Sequence, residues 1–358
     1  MSDALKRTLP WLVAALTTTT TAGCANLSYY LQSASGELRV LEARRPIAEV
    51  LADPATPPPL RSRLELVLRL RDFASKALKL PDNGSYRNYA DLHRPFIAWN
   101  VFAAPKFSLT PKRWCFLIAG CVAYHGYFSR ESAEHFATSL RAEGYDVFVG
   151  GVPAFSTLGW FDDPVLNTFI NYPEYELARL LFHELGHQRV YAKNDSQFDE
   201  SFAVTVETVG VERWIAHRND PAMKQAFEAA QARRAGVLAL MHEYRNKLRD
   251  LYGEPLPPEE MRRRKAHTLE QMRRDYAELK ARWNGYSGYD RFFAEVNNAQ
   301  LASVAIYTGV VPQFRRLLAQ CDGDLGMFYE EVEKLAALPR DQRYAALGMG
   351  RVLGDSVN

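Results

Sequence analysis

Apolar residues recur along the chain at two different periods, and the change of period divides it. Residues 27–95 read as helices with a proline break: Leu38 to Leu51 carries a mixed apolar pattern, interrupted by Pro54 and by Pro57-Pro58-Pro59. Leu60 to Leu78 is a stronger helix, with Leu64, Val67, Leu68 and Phe73 near helical spacing and charges between them. From Phe96 the period shortens. Ile97 to Ala104, Arg113 to Gly120 and Val122 to Ser129 are rich in aromatic and β-branched residues and short enough for strands. Ser129 to Glu143 reads as a helix that Gly144 stops, and Asp146 to Phe155 as another strand, carrying Gly150 and Gly151. Helical spacing then returns.

Leu177, Leu180, Leu181 and Leu185 form one apolar stripe. Asn171 and Glu174 make an N-x-x-E capping pair ahead of it, with Pro173 in the first turn. Ser196 and Asp199 give the start signal of a further helix over Phe198, Phe202, Ala203, Val206 and Val209. Residues 222–283 form a helical hairpin, its two apolar seams stepping by three and four and joined by a linker from Gly253 to Pro258. A last helical stretch, Asn297 to Leu318, is predicted to break near Gly309 and Pro312. The expected fold class is α+β and mainly helical, with a small mixed sheet and a C-terminal helical region that includes the long hairpin.

The first of these later helices carries the chemistry. It contains His183-Glu184-Leu185-Gly186-His187, an H-E-x-x-H sequence. Two histidines four residues apart leave one helix face together and can share one metal ion. Glu184 is near enough to meet a water on that ion without being aimed as a ligand, which is the arrangement of zinc peptidases. A two-histidine site needs a third protein ligand. Glu200 begins the next helix, and the twelve residues between His187 and Glu200 suffice for a turn back across the first helix. Glu207 and Glu212 are the rival ligands. Glu207 lies about 10 Å further along the axis on the face of Glu200, which suits a carboxylate holding a histidine N–H better than a ligand. Glu212 points roughly 120° away from Glu200. The expected set is therefore a Zn2+ ion on His183, His187 and Glu200, with Glu184 as general base.

H-E-L-G-H followed by Asp199-Glu200-Ser201-Phe202-Ala203 resembles the zincins whose third ligand is a glutamate. Tyr124-His125-Gly126-Tyr127-Phe128, the run from Ser156 to Pro164, the H-E-L-G-H-Q run and Phe198 to Ala203 are similar to the bacterial family of predicted aminopeptidases, whose members carry a lipoprotein signal. The likeness extends from about Tyr29 to the helix around Tyr307. The spacing to Glu200 is shorter than in the best-known glutamate zincins, and Asp199 stands where those have Asn. The resemblance implies a zinc hydrolase with the ligands and base named above. It also implies a zincin-like sheet whose edge strand lies over the H-E-x-x-H helix and binds extended substrate by main-chain hydrogen bonds, with Gly150 and Gly151 permitting close backbone approach. The plainer reading of these glycines is a bulge. Zincins often stabilise the oxyanion with a tyrosine or histidine from the domain closing over the cleft. Tyr307 is the first candidate here and Tyr289 the second; the plainer reading of either is a packing tyrosine.

Residues 1–23 read as a signal peptide, with Lys6 and Arg7 before a short apolar stretch from Leu9 to Leu16. Thr21-Ala22-Gly23-Cys24 resembles a lipobox, which implies lipidation of Cys24; the plainer reading is an ordinary secretory signal cleaved nearby, or no cleavage. Ala25 follows it in place of an aspartate, so by analogy the protein is an outer-membrane lipoprotein facing the periplasm. Of the remaining cysteines, Cys115 and Cys121 are close enough to pair, with Cys321 left over; equally, all three fit as small core residues. Expected units are the signal, an N-terminal helical segment 24–95, a sheet with the active-site helices over 96–218, and the C-terminal helical region 219–358.

Composition excludes one class. The chain of 358 residues has 44 basic and 42 acidic side chains, so nothing electrostatic favours nucleic acid. Arg262-Arg263-Arg264-Lys265 reads as a solvated face, with anionic lipid headgroups the sharper option. His125 and His135 have no partners at ligand spacing, and Asp162-Asp163-Pro164 reads as a turn. The functional expectation is zinc-dependent hydrolysis of a peptide substrate, as an aminopeptidase. The alternative is a non-catalytic lipoprotein that keeps the scaffold as a binding or structural module.

Overall fold

The computed structural model describes residues 32, 35–36, 38–116, 120–154 and 156–349, without the side chains at 116, 120 and 305–308. Residues 38–42 are helical, but Pro46 ends the expected run and places β1 (Arg45–Pro46) before α1 (Ile47–Ala52). The proline ring cannot donate the helical hydrogen bond, and the residue before it is pushed to extended geometry. α2 (Pro58–Lys76) follows, with prolines in its first turn, and buries Leu64, Val67 and Leu70.

The strands are short. β2 (Asn88–Ala90), β3 (Ala98–Pro105), β4 (Trp114–Phe116), β5 (Gly120–Val122) and β6 (His125–Tyr127) precede α3 (Arg130–Ala142), and β7 (Tyr145–Val152) and β8 (Val165–Leu166) follow it. Ser129 caps α3 through its side chain, and Gly144 leaves it at φ +90°. One sheet is mixed, in the order β1-β2-β8; a second is antiparallel, β6-β3-β7; β4 and β5 pair separately. Cys115 and Cys121 face each other across β4 and β5 and form a disulfide, while Cys321 is free and buried.

Helices make up the rest: α4 (Glu174–Arg189), α5 (Ser196–Arg218), α6 (Pro221–Tyr252), α7 (Pro258–Ala281), α8 (Asp290–Ala294), α9 (Asn298–Thr308), α10 (Val311–Gln320), α11 (Leu325–Ala337) and α12 (Arg340–Ala346). The break between α9 and α10 falls at Gly309 and Val310, and Asn297 with Gln300 forms a full capping box at the start of α9. The largest core joins Val67 and Leu70 of α2, Phe182 of α4, Phe202 of α5, Phe314 of α10 and Phe328 and Tyr329 of α11. The N-terminal segment, both site helices and the last helices therefore share one apolar interior. The hairpin of α6 and α7 has its own seam of Leu248, Met272 and Tyr276. The sheet packs Val101 and Ala103 on Ala133 and Ala137 of α3.

α4 and α5 pack along each other, and Gly210 of α5 leaves room for the Phe182 ring of α4. A Cβ there would lie 2.6 Å from the Phe182 ring and 2.8 Å from Leu78. Glycine inside a helix costs about 1 kcal/mol relative to alanine. Here it admits the buried ring of Phe182, the residue before His183. α9 packs against α5 on one side and β3 and β7 on the other, so the sheet reaches the site helices through α9.

Candidate metal centre

α4 starts at Pro173, whose ψ of 147° makes it the cap residue. Asn171 is then too early to cap, and the expected N-x-x-E pair does not form. Glu174 turns outward instead, accepting from Trp214 Nε1 at 3.0 Å and pairing with Arg218. α5 starts one residue earlier than its sequence signal suggests. Asp195 is the cap and accepts from the Phe198 N–H, while Asp199 reaches back to accept from the Ala192 N–H at 2.7 Å. These two aspartates fold the link between the helices into a tight return, and Glu200 arrives opposite the histidines.

His183 Nε2 and His187 Nε2 lie 3.1 Å apart. Oε2 of Glu200 is 3.3 Å from the first and 3.7 Å from the second. A tetrahedral ion with bonds of about 2.0–2.1 Å spaces its ligand atoms about 3.3 Å apart. Glu200 Oε2 is buried and makes no hydrogen bond. Two imidazole nitrogens and a carboxylate oxygen thus converge on one point, a donor set that fits a divalent cation. Among the described residues, His183, His187 and Glu200 are the cluster with that geometry. Glu212 is exposed and lines a cleft of about 710 Å³ between α5 and α6, away from the triad.

Behind the triad is a charged layer. His183 Nδ1 lies 2.8 Å from Glu207 Oε2, and Glu207 is 1% exposed. Arg179 and Arg234 each donate to Glu207, at 3.2 and 3.1 Å. Burial would favour a neutral Glu207, but the Arg179 charge, His183 and Arg234 hold its carboxyl well below the usual range. For His183 burial acts downward, yet contacts with Glu200 and Glu207 outweigh it and raise the imidazole to about 10. Those carboxylates would favour a bound cation by the same attraction. Glu200 is likewise pushed up by burial but held far down by His187 and His183.

Glu184 shows the opposite sign. Burial raises its pKa, His183 and His187 oppose the rise, and Glu200 and Asp163 add to it. That is the tuning a general base needs. Asp199 rises to about 7, chiefly from burial and against the Ala192 hydrogen bond.

A polar cluster covers the same side of α4. Gln188 donates to Asp163 Oδ2 at 3.0 Å and to Ser85 Oγ at 3.2 Å, and accepts from Asn83 Nδ2 at 2.8 Å. Asp163 is buried and also accepts from the Thr157 N–H. The expected turn at Asp162-Asp163-Pro164 is therefore a brace on the H-E-x-x-H helix.

The other expected residues are placed as follows. Gly150 and Gly151 lie on β7, an edge strand that pairs with β3 in continuous register without a bulge. The space a Cβ would take is filled by aromatic rings, Phe148 at 3.1 Å from Gly150 and Phe96 at 2.4 Å from Gly151. Ala103 O, opposite Val147, accepts from Lys112 on the side away from β7. Alternation then turns the main chain of Val147, Val149 and Gly151 to the open edge. Asn297 Nδ2 occupies the Val147 carbonyl at 3.1 Å.

Tyr307 belongs to α9, and its side chain lies outside the described ones, as Cys24 lies outside the described residues. Tyr289 packs on Tyr286 and Trp283 beside the hairpin. His125 stacks on Tyr127 and meets Phe136, and burial lowers its pKa to about 4, so it stays neutral. His135 is exposed. Arg262, Arg263 and Arg264 are each paired with Glu259, Glu260 or Glu254 one turn away or nearby, which neutralises the basic run. Sequence reasoning missed Arg179, although it sits four residues before His183 on the same face. It also missed Arg234 and the cluster around Gln188, where no local signal exists.

A family model described as "Putative aminopeptidase" matches residues 28–347 of the chain. No curated protein and no solved structure matches it.

Proposed function

The chain belongs to the putative aminopeptidase family, and on that premise we propose that it is a zinc-dependent peptidase of the bacterial cell envelope. The carrying observation is the convergence of His183 Nε2, His187 Nε2 and Glu200 Oε2 at 3.1, 3.3 and 3.7 Å, with Glu184 beside them on the same helix. Two imidazoles and a carboxylate match zinc's ligand preferences and leave a further position open. Zinc, when bound, supplies a Lewis acid that acidifies water and polarises a carbonyl.

The chain's own residues divide the remaining work. Glu207 accepts from His183 Nδ1–H, which fixes the tautomer and turns Nε2 toward the metal position. Arg179 and Arg234 keep Glu207 ionised for that task. Glu184 takes a proton on its carboxylate from the attacking water and returns it to the leaving amine. Burial raises its pKa, which favours its holding that proton until the leaving amine takes it. The open edge of β7 around Val149 and Gly151 offers main-chain groups to an extended peptide.

Placement in the periplasm by a lipid on Cys24 belongs to the same proposal. The Cys115–Cys121 disulfide supports it, because such bonds persist in oxidising compartments. The test is hydrolysis of aminoacyl and peptide libraries by metal-replete protein, alongside zinc content. One zinc per chain and cleavage that chelation abolishes are expected. One tightly bound zinc with no cleavage of any peptide would instead identify a binding module. Glu200→Ala retaining full zinc affinity would remove it from the ligand set.

A further inference from the structure

Tyr86 combines two features that a packing residue has no need of. Its backbone has φ +62°, in the left-handed region that bulky side chains rarely occupy. Its side chain is 1% exposed, and its hydroxyl is buried with no hydrogen-bond partner. A phenylalanine would fill the same volume without stranding an oxygen. A glycine or asparagine would take the same backbone at less strain. Strain and orphaned polar groups held at one residue mark a place where the group is used.

The strain is imposed from several directions. Arg71, itself fully buried, donates to the carbonyls of Ser85 at 3.0 Å and Asn83 at 3.2 Å, and so clamps the loop before Tyr86. The Tyr86 N–H donates to Asp163 O at 2.6 Å. Asp163 and Ser85 are both held by Gln188, and Asn83 donates to its amide oxygen. Gln188 is four residues beyond Glu184, so both leave the same face of α4. Two loops, 81–86 and 156–163, are thereby fastened onto the helix face that carries Glu184. Burial, then the charges of Glu184 and Asp163, keep the phenol protonated and hence a donor.

We propose that Tyr86 is a positioning residue of the active site, whose hydroxyl donates through one bridging water to the Glu184 carboxylate and sets its orientation toward the metal position. The inference rests on the peptidase reading above. A buried water needs at least two polar partners, and this pair supplies them. With the carboxylate held from behind, its free oxygen is presented to the reacting water in one orientation.

Tyr86→Phe is the test. It keeps the ring and removes only the hydroxyl, so the fold and a zinc content of one per chain are expected to hold. Turnover should fall by about 10- to 100-fold with KM unchanged. In a Glu184→Gln background the same change should cost nothing further, because the residue acts through Glu184. A structure of the zinc-loaded protein should show the water between the phenol and the carboxylate. Parental turnover in Tyr86→Phe, an equal loss in the Glu184→Gln background, or loss of zinc would each overturn the inference. If the parental protein cleaves no peptide, the peptidase reading has failed on its own. The bridging water then decides the role of Tyr86, and its absence overturns that role.

Discussion

Oε2 of Glu207 lies 2.8 Å from Nδ1 of His183, seven residues after Glu200 on the same helix. One face of α5 thus reaches His183 twice, with Glu200 at Nε2 and Glu207 at Nδ1. The two contacts hold the ring at both of its nitrogens. Arg179 and Arg234 continue the chain of charge outward, so the orientation of His183 depends on three elements, α4, α5 and α6.

Glu207→Gln tests this arrangement. Glutamine still accepts from Nδ1–H, but it loses the charge that pairs with Arg179 and Arg234. Zinc affinity should fall about 10- to 100-fold, as for other partners that orient a ligand histidine. Competition with a chelator measures it. Unchanged affinity would show that the ligand is oriented by packing alone.

Glu184→Gln keeps the size and a hydrogen bond but cannot accept a proton. Turnover should drop at least about 100-fold, with zinc content and melting temperature nearly unchanged. The pH profile adds a sign. Burial raises the pKa of Glu184 above 4.5, so the ionised base is lost as pH falls through that raised value. The acid limb of kcat/KM should therefore lie above pH 4.5, and the residual activity of Glu184→Gln should lack it.

Cys24→Ser tests the tether. Lipid on the first mature residue would hold the parental chain in the membrane fraction, and the serine variant should appear in the soluble periplasmic fraction. Mass spectrometry of the native protein should find an acylated Cys24 as the N-terminus. An intact Met1 would remove the anchor from the picture.

Much of this organisation was legible because it is local. The i, i+4 spacing put His183 and His187 on one face whatever the rest of the chain did. The apolar period marked α2, α3 and the hairpin, and Gly144 marked the end of α3 by its positive φ. Errors arose where a distant or bulky neighbour decided. Pro46 split the helix expected from Leu38 to Leu51. Pro173 moved the start of α4 past the reach of Asn171. Phe96 and Phe148 fill the space at Gly151 and Gly150, which a reading of strand residues alone cannot foresee. The backbone of Tyr86 is set by Arg71 and Asp163, respectively fifteen residues before it and seventy-seven after, so no local pattern announces it.

Arg343→Ala should destabilise the protein strongly. Arg343 and Asp195 are both 4% exposed, and Arg343 donates to Asp195 Oδ2 at 2.5 Å. Tyr344 donates to the other oxygen at 2.9 Å, and Asp195 caps α5. Removing the guanidinium takes away the nearest charge partner of a buried carboxylate, a change that costs up to about 3–5 kcal/mol and that Arg340, 3.9 Å from Asp195 Oδ1, offsets in part. Denaturant unfolding measures it. Because Asp195 starts the helix that carries Glu200, chelator competition on the folded fraction should also show weaker zinc binding.

Asp199→Asn should do the reverse at neutral pH. Asp199 is 3% exposed, and its Oδ1 accepts from the Ala192 N–H at 2.7 Å. An asparagine oxygen can accept the same bond without a charge. Burial raises the aspartate to about 7 in the folded chain, against an ordinary value of 3.8. Between those values the folded state holds a proton that the unfolded state has released, so parental stability falls as pH rises from about 4 to about 7. The penalty is complete above the folded pKa and absent below the unfolded one. Metal-stripped Asp199→Asn should therefore match the parent near pH ~4 and exceed it above pH ~7 by up to a few kcal/mol, since each tenfold difference in proton affinity between the two states is worth about 1.4 kcal/mol. Stripping matters because a cation on Glu200 would itself favour the ionised aspartate. Parallel stability curves for the two proteins across this range would show that Asp199 is ionised at little cost.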